Sequence, residues 1–121
     1  MFRYGILSTA SIIDRFIAGI RESQDSYVQA IASRNLETAK KAAKRLNIEN
    51  YYGSYGELLC ANNIDIVYIA TPHNSHYEFL MKALQSGKHV FCEKAITVND
   101  TQLEEAVKLA KKKNLVICDG M

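Results

Sequence analysis

Cysteine is scarce in this sequence of 121 residues, neither sign of charge is in surplus, and no long apolar run occurs. The three cysteines, Cys60, Cys92 and Cys118, are odd in number and form no CxxC pair. Two of them sit inside apolar runs, so reduced core residues are expected rather than a disulfide framework or a zinc site. That expectation points to a cytoplasmic chain. Fifteen basic residues against 13 acidic ones leave a net charge of +2, too little to draw nucleic acid or an anionic membrane as a partner. No stretch approaches the ~20 apolar residues that span a bilayer. The N-terminus enters a strand-like pattern at once, with no charged region ahead of an apolar one, so no export signal or membrane anchor is expected. Repeats, low-complexity tracts and internal linkers are also missing. With 48% hydrophobic and 23% charged residues, the chain reads as a single globular domain over residues 1–121.

What is present is an alternation. Apolar runs of strand length recur at 2–7, 27–32, 64–70, 89–92 and 115–118, and most are continuous, as in strands buried on both faces. Between them lie stripes with a period of 3.6: Ile12, Ile13, Phe16, Ile17 and Ile20; Leu36, Ala39, Ala43 and Leu46; Tyr77, Leu80, Met81 and Leu84; Leu103, Ala106, Val107 and Ala110. Gly87 reads as a helix stop, and Asn99 with Gln102 as a capping box opening the last helix. Residues 51–53 and 55–59 suggest a brief strand and a helix of one or two turns. Strands alternating with helices specify an α/β, doubly wound, mostly parallel sheet with right-handed crossovers. Ligands bind such sheets beyond the C-terminal ends of the strands. Those ends are 8–12, 33–35, 70–76 and 93–96.

Glycines are missing where a dinucleotide fold should carry them. GxGxxG is expected between the first strand and helix, and its positions hold Ser8, Ala10 and Ile13 in "GILSTASII". Anion binding can survive this loss, because the backbone N–H groups of Ala10, Ser11 and Ile12 remain and Ser8, Thr9 and Ser11 add hydroxyls. The same hydroxyls would also serve simply as helix caps. An acid is missing too, at the end of the second strand, where it would bind the ribose 2′-hydroxyl of NAD. In its place stands "ASRN", whose Ser33 and Arg34 suit the 2′-phosphate of NADP. NADP is therefore favoured over NAD.

The run "VYIATPHNSHYEFL" ends in Ala70, Thr71 and Pro72, and the only proline of the chain stops the strand there. The small residues leave a ledge for a ribose and nicotinamide, and a helix opens near Asn74 or Ser75. His73 and His76 lack a third ligand, so no metal is expected. The run "VFCEKAITV" puts Glu93 and Lys94 just past a strand end. They read either as a solvated surface pair or as site residues.

Taken together, "YGILSTASI", "IASRNLETAKKAAKRL", "YGSYGELL", "IDIVYIATPHNSHY" and "SGKHVFCEKAITVN" resemble the Gfo/Idh/MocA oxidoreductases along the whole chain, in order and spacing. The resemblance implies a Rossmann fold whose Ser8, Thr9, Ala10, Ser11 and Ile12 line the pyrophosphate. Ser33 and Arg34 would meet the adenosine ribose or its phosphate. Thr71, Pro72, Asn74 and His76 would lie along the nicotinamide half, with Glu93 near its ribose and Lys94 at the reacting centre. Where the family's EKP signature has proline, this chain has Ala95. A cis bond before a residue other than proline costs roughly 2.5–4 kcal/mol, so the Lys94–Ala95 bond is expected to be trans.

By the same resemblance, the activity is hydride transfer between nicotinamide and a sugar, polyol or similar alcohol or carbonyl, with Lys94 exchanging the substrate proton. The family's C-terminal substrate domain is not in these residues. A truncated chain that binds dinucleotide without turning over substrate alone is expected, and self-association through a surface left uncovered is plausible. A non-catalytic dinucleotide-binding or redox-sensing module is the alternative, since a fold does not settle a function.

Overall fold

The computed structural model describes residues 2–7, 13–70, 76–92 and 100–119. In chain order the elements are β1 (Phe2–Leu7), α1 (Ile13–Glu22), β2 (Ser26–Ala32), α2 (Leu36–Leu46), β3 (Asn50–Tyr52), α3 (Tyr55–Cys60), β4 (Ile66–Ile69), α4 (His76–Gln85), β5 (His89–Cys92), α5 (Asp100–Lys112) and β6 (Ile117–Asp119). The strands form one sheet in the order β3-β2-β1-β4-β5-β6. Every neighbouring pair is parallel, which is the doubly wound architecture expected from the alternation.

Continuous apolar runs form these strands because both faces of the sheet are covered. In β1, Ile6 and Leu7 point to opposite faces and both are buried; Ala30, Ile31 and Ala32 of β2 and Val67, Tyr68 and Ile69 of β4 do the same. On one face α1 and α2 cover a core that includes Ile6, Ile13, Ile17, Ile31 and Tyr68. Phe16 of α1 lies parallel to the Tyr68 ring, with centroids 3.7 Å apart, and also meets Phe91 at 5.1 Å. The other face carries Leu7, Val67, Ile69 and Val90 under Leu58 of α3, Leu80 and Leu84 of α4 and Ala106 of α5. Each fully buried Leu or Ile contributes roughly 1.5–3 kcal/mol.

Three helices end in the same way before they feed a strand. Gly87 after α4 has φ +80°, as its role of helix stop requires; Asn47 after α2 and Asn114 after α5 reach φ 58° and 59°. The residue after each donates its N–H to a carbonyl five positions back: Ile48 to Ala43 at 2.8 Å, Lys88 to Ala83 at 3.0 Å and Leu115 to Ala110 at 2.8 Å. This is the Schellman closure, which favours glycine or asparagine at the left-handed position and an apolar residue after it. Ile48 and Leu115 follow that rule, and Lys88 breaks it.

Several expectations need correction. The third long strand is shorter than its apolar run: Ile64 is buried ahead of β4, and Ala70 follows it. The last strand lies two residues later than expected at its start, at Ile117. Leu36 and Val107 are 54% and 37% exposed rather than inward-facing. Leu36 opens α2 at the sheet edge, beyond the core that Ala39, Ala42, Ala43 and Leu46 fill. In α5, Ala106 and Ala110 face the core, and Val107 lies one residue round the helix from them. Cys60 is exposed at the end of α3 instead of joining the core. Asn99, half of the expected capping box, lies outside the described residues; α5 opens at Asp100.

Candidate functional site

The strand order puts β1 and β4 side by side at the centre, with Leu7 opposite Ile69 and the Ala70 N–H donating to the Leu7 carbonyl at 3.2 Å. From these two strand ends the chain departs to opposite faces, to α1 and to α4. Such a reversal opens a crevice at the C-terminal edge, where doubly wound sheets hold their ligands.

The flank of this crevice formed by β2 is described in full. Ser33 follows β2 directly, 8% exposed, and its N–H donates to the Tyr52 carbonyl at 3.2 Å. Its Oγ accepts a long bond from the Asn35 N–H at 3.5 Å. Arg34 is exposed, and no acid pairs with it among the described residues. Asn35 caps α2: its Oδ1 accepts from the Glu37 N–H at 2.8 Å and the Thr38 N–H at 3.2 Å. The α2 N-terminus is therefore capped from within, and an anion arriving here meets the exposed Arg34 guanidinium rather than open helix amides. Gly53 lets β3 end close against this corner, because a Cβ there would lie 3.0 Å from the Leu36 Cβ and 3.2 Å from its Cα. Asn35 lies in the strand end 33–35, but its capping role and the close approach at Gly53 are not assigned from the sequence; the asparagine ahead of an apolar helical stripe is the readable signal for the cap.

The basic run on α2 has a partly structural explanation. Arg45 forms a two-pronged bond with Asp14 of α1, at 2.9 and 3.2 Å, and Lys40, Lys41 and Lys44 are exposed.

Of the remaining expected site residues, Ser8, Thr9, Ala10, Ser11, Ile12, Thr71, Pro72, Asn74, Glu93 and Lys94 lie outside the described residues. So does the Lys94–Ala95 bond. His76 opens α4. Among the described residues, no three His, Cys, Asp or Glu side chains gather as a metal site, and no helix is long and apolar enough to cross a membrane. A recess of about 360 Å³ beside α1, lined by Tyr4, Phe16, Gly19 and Ser26 among others, is separate from the crevice.

The opposite edge of the sheet is polar and closed on itself. Arg3 of β1 grips Asp65, just ahead of β4, through Nε and Nη2 at 2.9 Å each and through its own N–H at 2.9 Å. The hydrogen-bonded Arg3 guanidinium holds the Asp65 carboxyl down at about 2, against the opposing effect of burial. The Asp65 carbonyl accepts from the His89 N–H at 3.0 Å, and His89 Nδ1 accepts from the Val116 N–H at 3.0 Å. Lys88 is 5% exposed, and its Nζ donates to the carbonyls of Ala61 at 2.6 Å and Ile64 at 3.2 Å. Burial pushes its ammonium below the usual lysine range, while the Asp65 carboxylate pulls the other way.

A parallel sheet wound in both directions about a central crevice defines the class of dinucleotide-binding α/β folds. Residues 2–120 match the family described as "Oxidoreductase family, NAD-binding Rossmann fold". The chain belongs to this family, the Gfo/Idh/MocA oxidoreductases. It is 36% identical over 120 residues to trans-1,2-dihydrobenzene-1,2-diol dehydrogenase of Xenopus laevis, covering 98% of this chain and 36% of that protein. It is 35% identical over 131 residues to D-xylose 1-dehydrogenase (NADP(+)) of Hypocrea jecorina, covering 98% and 34%. Among solved structures, KijD10, a 3-ketoreductase from Actinomadura kijaniata in complex with NADP and TDP-benzene, superposes with a TM-score of 0.90 at 31% identity, covering 98% and 36%. The chain thus spans little more than a third of the length of these relatives.

Proposed function

We propose that residues 1–121 are the cofactor domain of an NADP-preferring oxidoreductase acting on a sugar, polyol or similar alcohol or carbonyl. The observation that carries this reading is the exposed Arg34, free of any acid partner among the described residues, at the end of β2. A 2′-phosphate there gains charge-assisted bonds that a 2′-hydroxyl does not. NADP in the names of D-xylose 1-dehydrogenase and of the KijD10 complex supports the same choice.

When bound, the nicotinamide supplies the hydride chemistry. In this reading Ser8, Thr9, Ala10, Ser11 and Ile12 hold the pyrophosphate, and Thr71, Pro72, Asn74 and His76 bound the nicotinamide half. Glu93 orients Lys94, whose Nζ takes the proton of the substrate hydroxyl or returns it. The remaining length of a family-sized chain supplies substrate contacts, so these residues alone bind cofactor without turnover. The exposed Cys60 thiol fits a reducing, cytoplasmic setting.

Titration with NADPH and NADH, followed by nicotinamide fluorescence, tests the reading, with NADP(+) and a sugar and polyol panel added to the same preparation. Tighter NADPH binding and no turnover are expected. Tighter NADH binding refutes the role of Arg34, and turnover refutes the need for further chain.

A further inference from the structure

Gly19 stands inside α1, where glycine is less favourable than alanine, and no close approach requires it there: a Cβ would meet no atom within 4 Å. Beside it lies the recess of about 360 Å³. Arg15, Gly19 and Ser23 follow one another at intervals of four, so they form a single stripe along the helix and just past its end, and all three line the recess. A side chain at the centre of that stripe would take up part of the space that glycine leaves open.

The other groups around this space combine rings, hydroxyls and one charge. Tyr4 and Phe16 meet edge to face with centroids 5.6 Å apart, and both are only partly buried. Ser23 Oγ accepts from the Asp25 N–H at 3.2 Å, which leaves its own O–H to donate, and Ser26 adds a second hydroxyl. Arg15 is exposed and makes no ion pair among the described residues, while the adjacent Asp14 is held by Arg45. Tyr4 and Ser26 belong to the first halves of β1 and β2, the ends remote from the crevice. A volume of about 360 Å³ falls within the ~300–1,000 Å³ of small-molecule sites, which pair apolar walls with a few convergent polar groups.

We infer that this recess is a second ligand site, separate from the cofactor crevice, and that it takes a small aromatic carboxylate. The ring packs against Tyr4 and Phe16 in the offset or edge-to-face manner that aromatic groups prefer. The carboxylate takes charge-assisted bonds from the Arg15 guanidinium, and the serine hydroxyls donate to whatever oxygen reaches the far end. Arg15 is the only charged side chain lining the space among the described residues, and one guanidinium fork matches a carboxylate better than a phosphate dianion, which calls for more than one cation.

Titration of the protein with 4-fluorobenzoate, followed by fluorine NMR line width, tests the site, with 4-fluorobenzyl alcohol as the uncharged counterpart. The acid should bind saturably and about tenfold tighter than the alcohol. R15Q, which keeps a donor and loses the charge, should bring the two ligands within about twofold of each other. G19L should weaken both by about tenfold or more by filling the recess. Both positions are exposed, and circular dichroism checks that each variant is folded. Absence of saturable binding by wild type overturns the proposal, as does binding that G19L leaves intact, which would put the ligand elsewhere. Acid binding unmoved in R15Q, or no preference over the alcohol in wild type, overturns the carboxylate class. A wild-type dimer in sedimentation that G19L or R15Q dissociates would give the recess to a second copy of the chain and overturn the proposal equally.

Discussion

The two edges of this sheet use their polar groups differently. At the N-terminal edge, Arg3, Asp65, Lys88 and His89 are spent on one another and on backbone carbonyls and amides across β1, β4, β5 and β6. At the C-terminal edge, Ser33 and Asn35 shape a corner, and the Arg34 beside them is left unpaired among the described residues. Groups that fold satisfies internally stabilise it; a charge left open on a shaped backbone is available to a ligand. Substitutions at the first edge should therefore register in stability, and those at the second in binding.

The largest stability effect belongs to Lys88. K88M leaves the Ala61 and Ile64 carbonyls without their donor, and the loss should be about 2 kcal/mol, since each buried unsatisfied group costs about 1–3 kcal/mol and removal of a desolvated charge returns part of it. A lower urea midpoint at an unchanged denaturant slope would register it. A midpoint equal to the wild type would place Lys88 among dispensable surface charges and erase the contrast between the edges.

Asp65 comes next, and its effect has a direction in pH. Its carboxyl is held at about 2 in the fold against an ordinary 3.8, so the unfolded chain binds more protons between those values. The stabilisation is present above about pH 4 and drains away as pH falls toward 2. With the pair about a third exposed, at 36% and 31%, solvent screening reduces the contribution to on the order of 1 kcal/mol. Chemical denaturation at pH 6 and at pH 3 should show wild type losing more stability than D65N. Parallel losses in the two proteins would mean that this ion pair adds nothing to the clasp.

The contrast also marks how far the residues could be read without coordinates. Continuous apolar runs gave the strands, and period-3.6 stripes the helices, because burial on two faces and on one leave distinct spacings. Periodicity says which face turns inward but not where the cover ends, which is why Leu36 and Val107 were misassigned. In the sequence, Lys88 and His89 read as the entry to an apolar strand. A lysine reads as solvated unless something shows two carbonyls waiting for it, and Ala61 and Ile64 are more than 20 residues away in sequence. The place of Ser33 and Arg34 just past β2 is legible because the end of that strand follows from the alternation itself and the missing acid is a local feature. Asn35 caps α2 through bonds within a few residues, so a single window contains its signal, whereas Gly53 matters through its approach to Leu36 of α2, which no single window contains.

Arg34 gives the smallest stability effect and therefore the sharpest contrast. Its side chain is exposed and makes no ion pair among the described residues, so R34A should leave the unfolding free energy within about 0.5 kcal/mol of wild type. Binding should move instead. A lost charge-assisted contact of about 1.5 kcal/mol corresponds to about tenfold weaker NADPH binding, with NADH nearly unchanged because it has no 2′-phosphate to lose. Thermal unfolding and paired NADPH and NADH titrations of R34A read both quantities. A destabilised variant with unaltered NADPH affinity would move Arg34 to the structural side of the comparison.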